Sequence, residues 1–94
     1  MTTEFYKQYF NNSPVTLFRQ DDRAQIQEKG KKYLWSDHLV FAMKLKSSAQ
    51  VERGYGGTIS AVFAPGDYVI YDVASDEVYI LAAASFERYA KEVA

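Results

Sequence analysis

The stretch Ala64-Pro65-Gly66-Asp67-Tyr68-Val69-Ile70-Tyr71-Asp72, running on through Glu77-Val78-Tyr79-Ile80 to Phe86-Glu87-Arg88-Tyr89, constrains the fold more than any other part of this chain. Pro65 presets φ at the first central residue of a type II turn, and Gly66 accepts the positive φ of the second. Tyr68 to Asp72 and Glu77 to Leu81 are rich in β-branched and aromatic residues, so each reads as a strand. Only Val73-Ala74-Ser75-Asp76 joins them, a connection short enough to require antiparallel pairing. From Ala82 to Val93 the residues Phe86, Tyr89, Ala90 and Val93 follow helical spacing, which predicts a closing helix whose apolar face covers the sheet. Asp67, placed after Pro-Gly, is expected to bond nearby backbone amides, so Pro65, Gly66 and Asp67 are read as a structural turn.

The upstream elements are written less clearly. Thr2 or Thr3 is placed to cap a helix over Glu4 to Phe10 with Phe5 and Tyr9 on one side, ended by Asn11-Asn12-Ser13-Pro14. Val15 to Phe18 reads as a strand. Asp21 is placed to cap a helix from Asp22 to Lys29, and Gly30 to supply a left-handed C-terminal cap. From Leu39 the period becomes two, with Leu39, Phe41, Met43 and Leu45 opposite Val40, Ala42, Lys44 and Lys46, so a strand with one buried face is expected. Gln50 to Arg53 reads as a short strand, Gly54-Tyr55-Gly56-Gly57 as a loop and Thr58 to Phe63 as a further strand. The expected architecture is α+β: a small curved, mainly antiparallel sheet with two or three helices, the C-terminal helix packed on the sheet. With 94 residues, one domain spanning 1–94 is expected.

Eight tyrosines, six phenylalanines and one tryptophan supply the ring area that a thin core needs, and tyrosine serves half-buried strands and binding surfaces equally. The absence of cysteine excludes disulfides, thiolate metal sites and a cysteine nucleophile. The amino-terminal residues are too polar for a signal peptide, and no window approaches the roughly 20 apolar residues of a membrane span. A soluble protein of the cytoplasm is therefore expected. The net charge of −1 hides an asymmetry. Lys29, Lys31, Lys32, Lys44 and Lys46 gather in the middle, while Asp67, Asp72, Asp76, Glu77, Glu87 and Glu92 crowd the end.

The last third resembles a small family common in bacteriophages and prophages, the PGDYG-like family. Its members show a Pro-Gly-Asp-Tyr turn, a hydrophobic strand, a Gly-Glu-x-Tyr strand and a closing Phe-Glu-x-x-Tyr helix. The matching residues are Pro65-Gly66-Asp67-Tyr68, Val69-Ile70-Tyr71, Asp76-Glu77-Val78-Tyr79 and Phe86-Glu87-Arg88-Tyr89. Asp76 stands where that family has glycine, and Ile80-Leu81 replaces its proline-containing stretch. The resemblance implies a phage-like origin and an accessory role in a bacterial host, with no catalytic site.

Chemistry has few footholds. Ser36-Asp37-His38 holds the residue types of a hydrolytic triad, but consecutive side chains diverge where a triad needs convergence. A metal site would need His38 and carboxylates from distant segments, and Gly54-Tyr55-Gly56-Gly57 lacks the lysine and helix of a phosphate loop. No cofactor and no metal are expected. Two surfaces are candidates for binding. Lys31 and Lys32 with Tyr33, Trp35 and Tyr55 combine cations with rings, as a single-stranded nucleic-acid site over Lys29 to Lys46 would, although a pI of about 5.7 disfavours a polyanion. Asp72, Asp76 and Glu77 form an acidic surface that could meet a basic partner. The leading expectation is a non-catalytic phage or prophage protein that binds a host protein or protein–nucleic acid complex. An inhibitor of a bacterial defence system, such as an anti-CRISPR protein, is its special case. A nucleic-acid module and a small hydrolase are the alternatives, and an exposed strand edge leaves a homodimer open.

Overall fold

The computed structural model describes residues 5–54 and 57–93. Its first element is a hairpin, β1 (Lys7–Phe10) against β2 (Ser13–Phe18). Asn11 and Asn12 take φ of 51° and 65°, and positive φ at both central residues is the signature of a two-residue I′ turn, whose twist matches the flanking strands. The helix expected over Glu4 to Phe10 is thus replaced by a strand from Lys7, while Glu4 lies outside the described residues. Asparagine tolerates left-handed geometry, so the Asn-Asn pair reverses the chain where it was expected only to stop a helix. β5 (Ala49–Val51) joins the other side of β2 in parallel, giving a three-stranded sheet in the order β1-β2-β5.

A 3-10 turn at Gln20–Asp22 leads into α1 (Arg23–Lys29). Asp22, not Asp21, immediately precedes α1, and its carboxylate accepts the Arg19 backbone N–H at 2.8 Å, closing the 3-10 turn rather than capping the helix. Gly30 is extended, with φ −84°, so it is not the left-handed cap expected. Glycine is required by crowding: a Cβ there would lie 2.7 Å from the Ile26 carbonyl oxygen and 3.0 Å from that of Ala42.

The larger sheet has five strands, β3 (Lys31–Trp35), β4 (His38–Lys44), β6 (Tyr68–Asp72), β7 (Glu77–Leu81) and β8 (Ala90–Glu92), all antiparallel in the order β7-β6-β4-β3-β8. A second turn with two positive φ values, Ser36 at 49° and Asp37 at 64°, joins β3 to β4. The Pro65-Gly66 turn forms as read: Gly66 has φ 100°, and the Asp67 N–H reaches the Ala64 carbonyl at 3.3 Å. Asp67 departs from expectation. Its carboxylate accepts the Ala83 N–H at 2.9 Å, capping α2 (Ala83–Tyr89) across the molecule rather than steadying its own turn. That helix stops at Tyr89. Ala90 becomes extended and β8 pairs with β3, because the outer edge of β3 gains backbone partners that four more helical residues would leave unmet. Thr58 to Phe63 forms no ladder, only the bridges Glu52↔Ile59 and Ala49↔Phe63.

The larger sheet is buried on both faces. On the first face Phe86 of α2 lies among Val40, Ala42, Tyr68 and Ile70. On the second, Phe18, Ile26, Ala49 and Val51 meet Phe41, Val69, Val78 and Ile80. The single buried face expected for β4 is therefore corrected: Val40 and Ala42 are as buried as Phe41, and Leu39 is exposed. Gln20 ties the two sheets together. Its amide accepts the Val78 N–H at 2.8 Å and donates to the carbonyls of Val78 at 3.1 Å and Glu52 at 2.9 Å.

Candidate functional site

Strand alternation divides the predicted cationic and aromatic residues between the two faces. Lys31, Tyr33 and Trp35 stand on the first face with Val40 and Ala42, whereas Lys32 stands on the second with Leu34. Tyr55 lies outside the described residues. The register Lys31↔Ala42 brings Lys31 beside β4, whose Lys44 follows two residues later on the same face. Lys29 at the end of α1 and Lys46 beyond β4 complete the rim of a recess of about 450 Å³, walled by Tyr33, Ala42, Met43 and Tyr68. A second recess of about 290 Å³ shares Lys29, Met43, Lys44 and Lys46 and extends toward Phe5 and Phe18.

Among the described residues one carboxylate reaches one of these ammonium groups. Glu87 lies 3.8 Å from Lys44 and accepts the Tyr68 hydroxyl at 2.8 Å. Burial, and then this bond, pushes the Tyr68 hydroxyl up to about 12, so it keeps its proton and donates. Lys29 rests 5.1 Å over the Phe5 ring. Among the described residues Lys29, Lys31 and Lys46 have no carboxylate within ion-pair distance.

The rings beside the lysines are already engaged. Tyr33 and Trp35 contact Phe86 at centroid distances of 4.9 and 5.8 Å, Trp35 also meets Tyr89, and Tyr68 meets Phe86 at 4.5 Å. A base-stacking platform needs free ring faces, and these serve the interior.

The acidic residues separate in role. Asp72 is buried, accepting the Tyr79 hydroxyl at 2.9 Å and the Ala74 N–H at 3.0 Å. Burial and this carboxylate raise Tyr79 above the usual tyrosine range. Asp76 pairs with Arg23 at 2.6 Å and accepts the Tyr71 hydroxyl at 2.9 Å. It takes φ 57°, a left-handed conformation that glycine adopts more readily than other residues. Glu77 is exposed. His38 Nδ1 stands 3.8 Å from Asp72 Oδ2, beyond hydrogen-bonding distance, and Ser36 and Asp37 form the adjoining turn. Among the described residues no group of three histidine, aspartate or glutamate side chains is arranged to hold a metal, and no helix is long and apolar enough to cross a membrane.

A second surface is not legible in the sequence, because it depends on Lys31–Trp35 being a strand. On the second face, beyond the part covered by α1, Leu34 stands directly opposite Leu39. These residues are 42% and 40% exposed, and Val93 on the adjoining edge is 36% exposed. Val73 follows, its N–H 3.3 Å from the Leu39 carbonyl. Comparison of the chain with protein-family models, curated proteins and solved structures gives no match.

Proposed function

We propose that this chain is a non-catalytic protein-binding protein, and that it binds its partner through the apolar end of the second sheet face. The observation that carries this reading is the cross-strand pair Leu34 and Leu39, solvent-exposed beside Val73 and Val93. Apolar side chains grouped on a small domain's surface mark contact sites more often than scattered ones do, and a polar rim such as Lys32 and Lys91 supplies specificity. On the opposite face α2 acts as the cover of the sheet, a role supported by buried Phe86 and by the Asp67 and Glu87 hydrogen bonds. The resemblance of the hairpin and closing helix supports a phage or prophage origin and action in the bacterial cytoplasm. The partner is then a host protein or a protein–nucleic acid complex, and inhibition of a defence system is the special case.

The test is affinity capture from bacterial lysates with the wild-type protein and with Leu34→Glu and Leu39→Glu, alongside light scattering. A partner retained by the wild type and lost by both variants, at unchanged melting temperature, is the expected result. A wild-type dimer that both variants dissociate would make the partner a second copy. Equal retention by all three proteins would refute this surface.

A further inference from the structure

We infer that the lysine-rimmed recess on the first face is a binding site for a small molecule carrying two or more phosphate groups. This site is separate from the apolar surface proposed above and does not depend on it. Four lysines, Lys29, Lys31, Lys44 and Lys46, line one recess of about 450 Å³, and Glu87 is the only carboxylate within ion-pair distance of any of their ammonium groups among the described residues. Like charges held round a concavity repel, and a multivalent anion seated between them converts that repulsion into attraction. The dimensions suit a small ligand, since such pockets run from about 300 to 1,000 Å³.

The donor set distinguishes phosphate from carboxylate. Arginine's planar fork matches a carboxylate with two parallel bonds, and among the described residues no arginine lines this recess. Lysines act as separate point donors arriving from several directions, which fits the tetrahedral oxygens of phosphate groups. Their placement follows from the fold. Lys31 and Lys44 project from adjacent strands, Lys29 ends the helix that enters β3, and Lys46 lies past the end of β4. Ala42 with Tyr33 and Tyr68 leaves an apolar wall for the rest of the ligand. Glu87, bonded by Tyr68, occupies the Lys44 side as an internal anion, so an incoming phosphate competes with it for that lysine.

The experiment is titration of the full chain, at physiological ionic strength, with pyrophosphate, with ADP and with a single-stranded oligothymidylate, followed by amide chemical shifts and calorimetry. Pyrophosphate and ADP are expected to bind saturably, with shifts centred on Lys31, Ala42 and Lys44. Lys31→Ala and Lys46→Ala should each weaken both ligands roughly three- to fivefold, the scale of one exposed charge. Glu87→Gln should tighten them about two- to threefold, because it removes the competing charge and keeps an acceptor for Tyr68. Leu34→Glu should leave both affinities unchanged, which separates this test from that of the apolar surface. Absence of saturable binding by both small ligands would overturn the inference. So would weaker binding in Glu87→Gln, or oligothymidylate binding more tightly than ADP, which would assign the lysines to a nucleic-acid strand.

Discussion

Replacing Gln20 should disconnect the two sheets. The side chain is 5% exposed and spans 58 residues of sequence to satisfy both the N–H and the C=O of Val78, as well as the Glu52 carbonyl. Neutral hydrogen bonds of this kind contribute about 1 kcal/mol each, and a buried backbone group left without a partner costs about 1 to 3 kcal/mol. Gln20→Ala should therefore lose about 3 to 4 kcal/mol. A domain of this length holds only about 5 to 14 kcal/mol in total, so the loss is a large fraction. Gln20→Met keeps the volume and removes the polar atoms; it should be nearly as damaging, which separates hydrogen bonding from packing. Gln20→Glu adds a sign. Ionised, it loses both donated bonds and sets a carboxylate against two carbonyl oxygens, so burial raises its folded-state pKa above the unfolded value of about 4.3. Stability linked to a raised pKa is full below the unfolded value and is lost as pH rises, so this variant should lie closer to the wild type at pH 4 than at pH 7. Urea denaturation reads all three. With m on the order of 1 kcal/mol/M, the midpoint of Gln20→Ala should fall by about 3 M at constant m. A Gln20→Met midpoint matching the wild type would refute the bridge.

Asp67→Ala should cost about 1 kcal/mol, the usual value of a lost N-cap, whereas Asp67→Asn keeps an acceptor for the Ala83 N–H; equal loss in both, by thermal melting, would count against the cap. Gly30→Ala should destabilise by about 1 to 3 kcal/mol through overpacking, since its Cβ meets the Ile26 carbonyl at 2.7 Å; an unchanged midpoint would contradict that crowding. Tyr68 and Tyr79 are raised first by burial and next by their bonds to Glu87 and Asp72, and Tyr71 is raised first by its bond to Asp76. Their stabilising contribution is present below the unfolded value of about 10 and lost as pH climbs through the folded values. Chemical denaturation between pH 10 and 12 should show a decline that Tyr68→Phe and Tyr79→Phe make shallower, and a decline unaltered by either would remove these tyrosines as its source.

The hairpin from Tyr68 to Leu81 was legible because its information is local: a Pro-Gly turn and two runs of strand-forming residues need no distant partner to be read. The other two hairpins were equally local but have no Pro-Gly turn leading into them, and they reverse on two-residue turns without glycine. Asn11-Asn12 and Ser36-Asp37 adopt the same left-handed pair, and neither the Asn-Asn nor the Ser-Asp dipeptide carries the Asn-Gly signal by which such turns are recognised. Once Ser36-Asp37 is taken as a turn, Lys31 to Trp35 becomes a strand and its alternation can be read. The extent of the closing helix was not legible at all. Phe86, Tyr89, Ala90 and Val93 keep helical spacing, but the helix yields at Ala90 to backbone pairing with β3, a long-range choice that local periodicity does not encode. Asp67 belongs to the same class, because the amide it caps lies 16 residues away.

That reading of β3 decides how its surface must be dissected. Lys31 and Lys32 are neighbours in sequence and form one basic pair on paper, but alternation sends the first to the recess and the second to the face bearing Leu34. No compact ligand touches both through the sheet. A double Lys31→Ala, Lys32→Ala substitution would therefore mix two surfaces, and its effect on any partner would not identify the face responsible. Substitutions grouped by face do so: Lys31 with Lys46 and Glu87 for the recess, Lys32 with Leu34 and Leu39 for the apolar end. Side chains on separate faces that share no partner should act additively, so a partner sensitive to both groups must reach around the sheet edge formed by β8.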